Sequence, residues 1–358
     1  MIQGPPRNEG WKPSLRPKVC GPSVSAAISG TCMPRPSPLC GSTTCPSSVT
    51  RSPRHYRANS MTIPFDRAQA ETRALQAACA QRGIDSAGVE LLSLGDSATY
   101  RLPHQLVARV TRMASQRDTA LRETALAVWL LHSANIPVIE PAEEPVELND
   151  VDTVVTFWHE LPTHRPATPA EIGHFLHKLH STSLPEGDLI SPLKPFVRVA
   201  ERIDAAPISA GDKTFLRDHL VDLESRWKKV TFTLGQALIH GDPHDNNIVV
   251  TDDGRILALD LERVAIGPPE WDLTLVASEH DTFRWVSAAE YQQFADAYGF
   301  DVLASPSYEL LRDIRELRMT SWLANRADQG ERIRQETRHR IDCLRGHHGL
   351  RPWNWTAS

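Results

Sequence analysis

The sequence predicts an α+β protein in two parts, a small strand-rich region followed by a larger, mainly helical one. Three observations carry that expectation. Apolar, partly β-branched runs cluster between Val89 and His159. Segments with apolar residues at helical spacing dominate from Pro169 onward. One strongly marked hairpin interrupts those helices, with Ile248-Val249-Val250 and Ile256-Leu257-Ala258-Leu259 flanking Asp253-Gly254.

The first sixty residues stand apart. They hold ten of the 27 prolines and four of the six cysteines, with eight lysines and arginines and one acid, a net of +7. The remainder carries 31 basic and 43 acidic residues, a net of −12. A Pro/Ser/Gly-rich stretch of this kind buries too little apolar surface to offset its ordering entropy. Residues 1–60 are therefore expected to be a disordered extension or to lie upstream of the true start at Met61, with a transit peptide as a third reading. Cysteines 20, 32, 40 and 45 lack C-x-x-C spacing, which argues against a zinc site. No apolar run approaches the roughly 18 residues of a membrane span. A reduced, cytoplasmic setting fits Cys79 and Cys343, and no nucleic-acid or membrane partner is expected. About 298 residues remain, enough for two lobes with their own cores.

In chain order, Phe65 to Arg82 is Ala-rich and closes at Gly83, a helix with a glycine cap. Val89 to Leu94, Ala98 to Leu102 and Gln105 to Thr111 read as three strands. The turn Gly95-Asp96-Ser97 is built of small residues. Its N–H groups and the Ser97 hydroxyl can donate to phosphate oxygens, although an ordinary hairpin turn has the same composition. Thr119 to Ser133 is a helix with a stripe of Leu121, Ala125, Leu126, Trp129 and Leu130. After an acidic stretch from Glu140 to Asp152, Thr153 to His159 is a buried strand. Thr168-Pro169-Ala170-Glu171 is a capping box that opens a helix to His180. His174, His177 and His180 are spaced by three along it, a pattern for packing before metal binding. Further helices are expected over Asp212 to Lys229, Ala288 to Tyr298 and Ser307 to Arg326. The tail from Arg345, with Trp353 and Trp355, carries no pattern.

Chemistry concentrates between Ala237 and Val276. His240, Gly241 and Asp242 precede the hairpin, and Asn247 and Asp260 flank its strands. A two-residue turn at Asp253-Gly254 places Asn247 directly opposite Asp260, with Cβ atoms about 5 Å apart. An amide oxygen and a carboxylate so placed, with Asp242 nearby, suit a hard cation such as Mg²⁺. Phosphoryl transfer needs such a metal on the phosphates and an Asp to orient the attacking hydroxyl. The competing reading is that acidic and amide residues gather at turns.

This arrangement resembles the aminoglycoside phosphotransferase and choline kinase-like family. The resemblance implies a two-lobed, protein-kinase-like fold: a small N-lobe over residues 61–158 with an antiparallel sheet and one key helix, a mainly helical C-lobe over 159–345 with the catalytic hairpin, and a tail over 346–358. It further implies that Asp242 is the catalytic Asp and that Asn247 and Asp260 hold Mg²⁺. Arg109 contacts nucleotide phosphates and Glu123 pairs with it, beside Gly95 and Ser97. Asp272 braces the catalytic loop with His240 as a prop, and an adenine ring sits beside Thr153–His159. The expected activity is transfer of the γ-phosphate of ATP or GTP to a hydroxyl of a small molecule. The acids Asp245, Glu262, Glu270, Glu279 and Asp281 favour a cationic or polyhydroxylated substrate. The residues alone leave Arg109 and Glu123 open to a purely surface role. Two other readings stand: a kinase-shaped nucleotide-binding protein without catalysis, and a metal-dependent hydrolase using His240 and His244.

Overall fold

Helix α1 (Phe65–Arg82) ends where Gly83 turns left-handed at φ +68°. Its Ala74, Leu75, Ala78 and Cys79 recur at helical spacing and are buried against a sheet. The computed structural model describes residues 65–94, 97–112, 114–148 and 152–356. The expectations for residues 1–60 and for Gly95 lie outside these.

The sheet contains β1 (Glu90–Leu94), β2 (Ala98–Leu102), β3 (Leu106–Thr111), β4 (Pro141–Leu148) and β5 (Thr153–His159), in the order β1-β2-β3-β5-β4 and antiparallel throughout. Alternate residues Ala98, Tyr100, Leu102, Ala108 and Val110 face α1. Helix α2 (Ala114–His132) packs on β3, β4 and β5. It begins ahead of the expected Thr119, because Arg117 and Asp118 extend it before its first buried position, Ala120. Strand β5 is buried from Thr153 to Trp158, as a central strand must be. Strand β4 falls in the acidic stretch that the sequence leaves unassigned. It lies at the sheet edge, where Pro141 and Pro145 need not donate, and its pairing slips twice along its length.

Two short sheets and seven α-helices follow among the described residues. The strands are β6 (His164–Pro166), β7 (Ala237–Ile239), β8 (Ile248–Thr251), β9 (Ile256–Ala258) and β10 (Ala265–Gly267), ordered β6-β8-β9 and β10-β7. The helices begin with α3 (Pro169–His180), opened by the Thr168–Glu171 capping box as expected. Next come α4 (Val199–Ala205), α5 (Ala210–Trp227), α6 (Glu270–Asp281), α7 (Ala288–Tyr298) and α8 (Tyr308–Ala324), then a seventh, α9 (Glu331–Leu344). One core joins Leu126 and Leu130 of α2 to Phe175 and Leu176 of α3, Ile248 and Val250 of β8, and Phe294 of α7. Another gathers Ile203, Leu216, Leu220, Trp271, Ile314 and Leu317. The tail corrects the sequence reading. Trp353 and Trp355 are buried against Phe283 and Cys343, so this stretch is part of the core. No helix among the described residues is long and apolar enough to cross a membrane.

The register of the hairpin is a second correction. Val249 pairs with Leu257 and Val250 with Ile256, which puts Leu259, not Asp260, opposite Asn247. The loop is one residue longer than a two-residue turn. Thr251 N–H bonds to Arg255 C=O at 3.0 Å, and Gly254 closes the loop at φ +81°. Asp260 then leaves the strand at φ +52°, at the start of a single 3₁₀ turn over Leu261–Arg263.

Candidate active site

Strand β7 is buried and delivers the chain to Gly241, which sits at φ +85°. A Cβ there would lie 2.3 Å from the carbonyl oxygen of Arg263. Only glycine lets these two segments touch. Asp272, fully buried on α6, accepts from His240 N–H at 2.6 Å and from Gly241 N–H at 2.8 Å. His180 Nε2 donates to the same carboxylate at 3.1 Å, and its Nδ1 lies 2.9 Å from the Tyr298 hydroxyl. Trp271 Nε1 donates to Gly241 C=O at 3.1 Å. Asp272 thus bonds to the chain at His240 and Gly241, and His180, Tyr298 and Trp271 extend this network. Of the α3 histidines, His177 and His180 bond to Tyr298, whereas His174 is exposed.

His240 is the expected prop. Its Nε2 donates to Leu259 C=O at 3.0 Å, and its Nδ1 accepts from Asp242 N–H at 3.4 Å. A single tautomer, protonated on Nε2, satisfies both. His244 Nδ1 accepts from Asn246 N–H at 3.2 Å. With both His240 nitrogens engaged, the two-imidazole site of a metal hydrolase is not built here.

Asn247 Nδ2 donates to Asp242 C=O at 3.0 Å, and Leu259 N–H donates to Asn247 C=O at 2.7 Å. The Asn247 Oδ1 is left without a partner among the described residues. Asp260 is exposed, and its carboxylate likewise has no hydrogen bond or ion pair among the described residues. Two unspent oxygen donors, one charged and one neutral, on segments joined through Leu259, fit a hard divalent cation. The longer hairpin loop moves Asp260 out of the strand pairing, one residue beyond Leu259, which bonds to Asn247.

Arg109 Nη1 donates to Glu123 Oε2 at 2.9 Å, and Glu123 Oε1 accepts from Leu261 N–H at 3.2 Å. Glu123 is 5 % exposed, whereas the Arg109 side chain is 34 % exposed. The base on β3, the acid on α2 and the segment after Asp260 are therefore one chain of contacts. The pull of Glu123, against burial and with Asp260 adding to it, raises the Arg109 pKa above its ordinary value. A surface role for the pair does not fit a buried carboxylate. Ser97 shares a hydrogen bond with Thr111, Oγ to Oγ1, at 2.9 Å, which fastens the start of β2 to β3. A second sewing point joins Ile139 N–H to Ala258 C=O at 2.9 Å, tying the segment after α2 to β9.

Two arginines that the sequence reading does not single out flank Asp242. Arg315 Nη2 lies 3.5 Å from Oδ1 and Arg263 Nε 3.6 Å from Oδ2. Arg318, also on α8, has no ion pair with Asp242 among the described residues but adds its charge to theirs. Burial works to raise the Asp242 pKa, but Arg315, then His244, Arg263 and Arg318, bring it below the usual carboxylate range. A signal for the two on α8 was in the sequence. Arg312, Arg315 and Arg318 recur every three residues beside the apolar stripe of α8. The acids expected to favour a cation are partly spent elsewhere. Glu270 accepts from Thr233 and Leu234 N–H groups, at 2.6 and 3.0 Å. Asp281 pairs with Tyr308 and Arg312.

The sequence model of the phosphotransferase enzyme family matches residues 88–317. No curated protein matches the chain by sequence. Among solved structures, a choline/ethanolamine kinase family protein from Mesorhizobium loti is similar at a TM-score of 0.52 and 17% identity, over 80% of this chain and 95% of the other. A spectinomycin phosphotransferase crystallised with ADP and spectinomycin aligns at 0.54 and 16% identity, over 80% and 95%. An amicoumacin kinase with AMP-PNP and Ca²⁺ aligns at 0.60 and 13% identity, over 78% and 96%. These likenesses establish a protein-kinase-like α+β fold.

Proposed function

Because the chain belongs to the phosphotransferase enzyme family, we propose that it is a Mg²⁺-dependent small-molecule kinase that transfers the γ-phosphate of ATP or GTP to a hydroxyl of a small acceptor. The observation that carries the reading is the loop bearing the Asp242 carboxylate, bonded to Asn247 through the Asp242 C=O and followed by two unspent oxygen donors, Asn247 Oδ1 and the Asp260 carboxylate. Nucleotides and a cation in the similar structures support it. A cytoplasmic setting fits the two buried free thiols, Cys79 and Cys343.

In this reading Asp242 orients the acceptor hydroxyl or accepts its proton. The hydroxyl oxygen forms a bond to the γ-phosphorus as the bond from that phosphorus to the bridging oxygen breaks, and the nucleoside diphosphate leaves with the electron pair. Asn247 and Asp260 hold Mg²⁺, which neutralises phosphate charge when bound. Arg109, aimed by Glu123, meets the phosphates. His240 and Asp272 fix the loop.

The two aspartates are separable by experiment. Asp242→Asn keeps Mg²⁺-dependent nucleotide binding and cuts turnover by roughly 10²-fold or more. Asp260→Asn weakens both, because a neutral ligand replaces a charged one. Nucleotide titration with and without Mg²⁺, alongside turnover, checks this. Loss of Mg²⁺-dependent binding in Asp242→Asn alone would reverse the roles, and unchanged turnover in both variants would sink the kinase reading.

A further inference from the structure

The charge around Asp242 is unbalanced. Arg263 and Arg315 share its one carboxylate, at 3.6 and 3.5 Å, with side chains 30% and 19% exposed. Arg318 has no carboxylate partner among the described residues. It donates to Pro195 C=O at 2.6 Å and lies over the Trp271 ring at 5.3 Å. Two acids of α8 are engaged elsewhere. Asp313 is paired with Arg226, Arg312 and Arg351, and Glu316 with Arg312 and Arg351. Burial first, then Arg263, Arg315 and Arg202, with Asp242 opposing, push the Arg318 pKa down to about 9. Three guanidiniums against one carboxylate repel one another in a partly dry place, and a bound anion relieves that repulsion.

The direction of approach matters. Arg315 and Arg318 come from α8, which packs on α4, α5, α6 and α9. The base meant for nucleotide phosphates, Arg109, comes from β3 in the sheet. Arg315 therefore reaches Asp242 from the helical side, and Arg318 stands about one turn along the same helix.

We propose that the acceptor carries an oxyanion, a carboxylate or a phosphate, close to the hydroxyl that is phosphorylated, and that Arg315 and Arg318 bind it. This rests on the kinase reading of the same site. It replaces the cationic acceptor that net charge favours. Hydrogen bonds of about 2.8 Å at each end, added to the 3.5 Å between Arg315 and Asp242, put hydroxyl and oxyanion within roughly 9 Å. The acceptor thus presents the two groups no more than roughly 9 Å apart, whatever its overall size. Arginine forks suit both oxyanions.

The test uses the full chain, Mg²⁺ and a non-hydrolysable ATP analogue, with four small hydroxyl probes that differ mainly in charge: glycerol 3-phosphate, glycerate, glycerol and ethanolamine. Calorimetry is expected to show one or both oxyanions binding at least tenfold more tightly than glycerol and ethanolamine. Arg315→Gln and Arg318→Lys are expected to weaken that binding tenfold or more, with nucleotide affinity changed less than twofold and melting temperature retained. Ethanolamine binding as tightly as the oxyanions, or oxyanion binding unchanged in both variants, would overturn the proposal. So would a loss that falls on the nucleotide instead, since the arginines would then serve the γ-phosphate. Failure of Mg²⁺-nucleotide binding in the unaltered chain sinks the kinase reading separately, and probe binding without nucleotide still decides the charge of the ligand.

Discussion

Asp272 shows how a single buried charge is made tolerable. It accepts three donors, two from the backbone of the catalytic loop and one from His180, so its charge is spent on fixing chain geometry. Hydrogen bonds to a charged group contribute about 1.5–3 kcal/mol each. Asp272→Asn keeps the shape but weakens these contacts and turns an amide N–H₂ toward a donor. The variant is expected to lose roughly 2–3 kcal/mol in urea unfolding, consistent with loss of at least one such bond, and to lose turnover while keeping nucleotide affinity. Unaltered stability would mean that the loop does not depend on the carboxylate. The role of Asp272 was legible from its motif. Its partner His180 was visible only as one of three evenly spaced histidines, because its contact spans ninety-two positions of sequence.

Single elements show where the sequence speaks and where it falls silent. Helix α3 announces itself through its capping box, and the contacts are all present. Arg165 bonds to Glu171, which also accepts from Thr168 N–H at 2.8 Å. Bonding from Arg165, against partial burial and ahead of Thr168, holds the Glu171 pKa down at about 2, below its usual 4.5. A carboxyl with a depressed folded pKa contributes stability that is complete above the unfolded value and is lost as pH falls from about 4.5 toward 2. Glu171→Gln should therefore cost about 1 kcal/mol at pH 7, and the gap from the unaltered chain should narrow below pH 4.5. Denaturant unfolding at pH 7 and pH 3 measures it, and an equal gap at both would refute the assignment. Helix α6 is the opposite case. Every residue from Glu270 to Ser278 is buried, so no polar face gives the helical period away. The β8–β9 hairpin falls between. Asp253-Gly254 marks the turn correctly, but composition does not distinguish two loop residues from three, and that one residue sets the register.

Across the whole molecule, the sheet-then-helix order was readable because periodicity changes along the chain. What holds distant parts together was not, since contacts between remote segments leave no local pattern. The C-terminal segment is the clearest example. Trp355 is 2% exposed, its ring stacks on Phe283 at 4.9 Å between centroids, and its C=O accepts from Trp285 Nε1 at 2.7 Å. Arg340 of α9 lies over the ring at 4.8 Å. The last described residues thus clasp the end of α6 and the start of the loop after it. Trp355→Ala should destabilise the chain by about 3–5 kcal/mol without altering nucleotide affinity at temperatures where it is folded. A loss below about 1 kcal/mol by denaturant unfolding would show the clasp to be marginal.

The close approach of Gly241 to the Arg263 carbonyl has a mechanical consequence. The loop bearing Asp242 and the turn that follows Asp260 are in backbone contact, so they travel as one piece. The separation of the two carboxylates is then set by the chain before any ligand arrives. Little rotational or positional freedom is left to be lost on binding, which favours affinity and correct aim together. A side chain at 241 would wedge the two segments apart, and the first guanidinium displaced would be that of Arg263, the one that flanks Asp242.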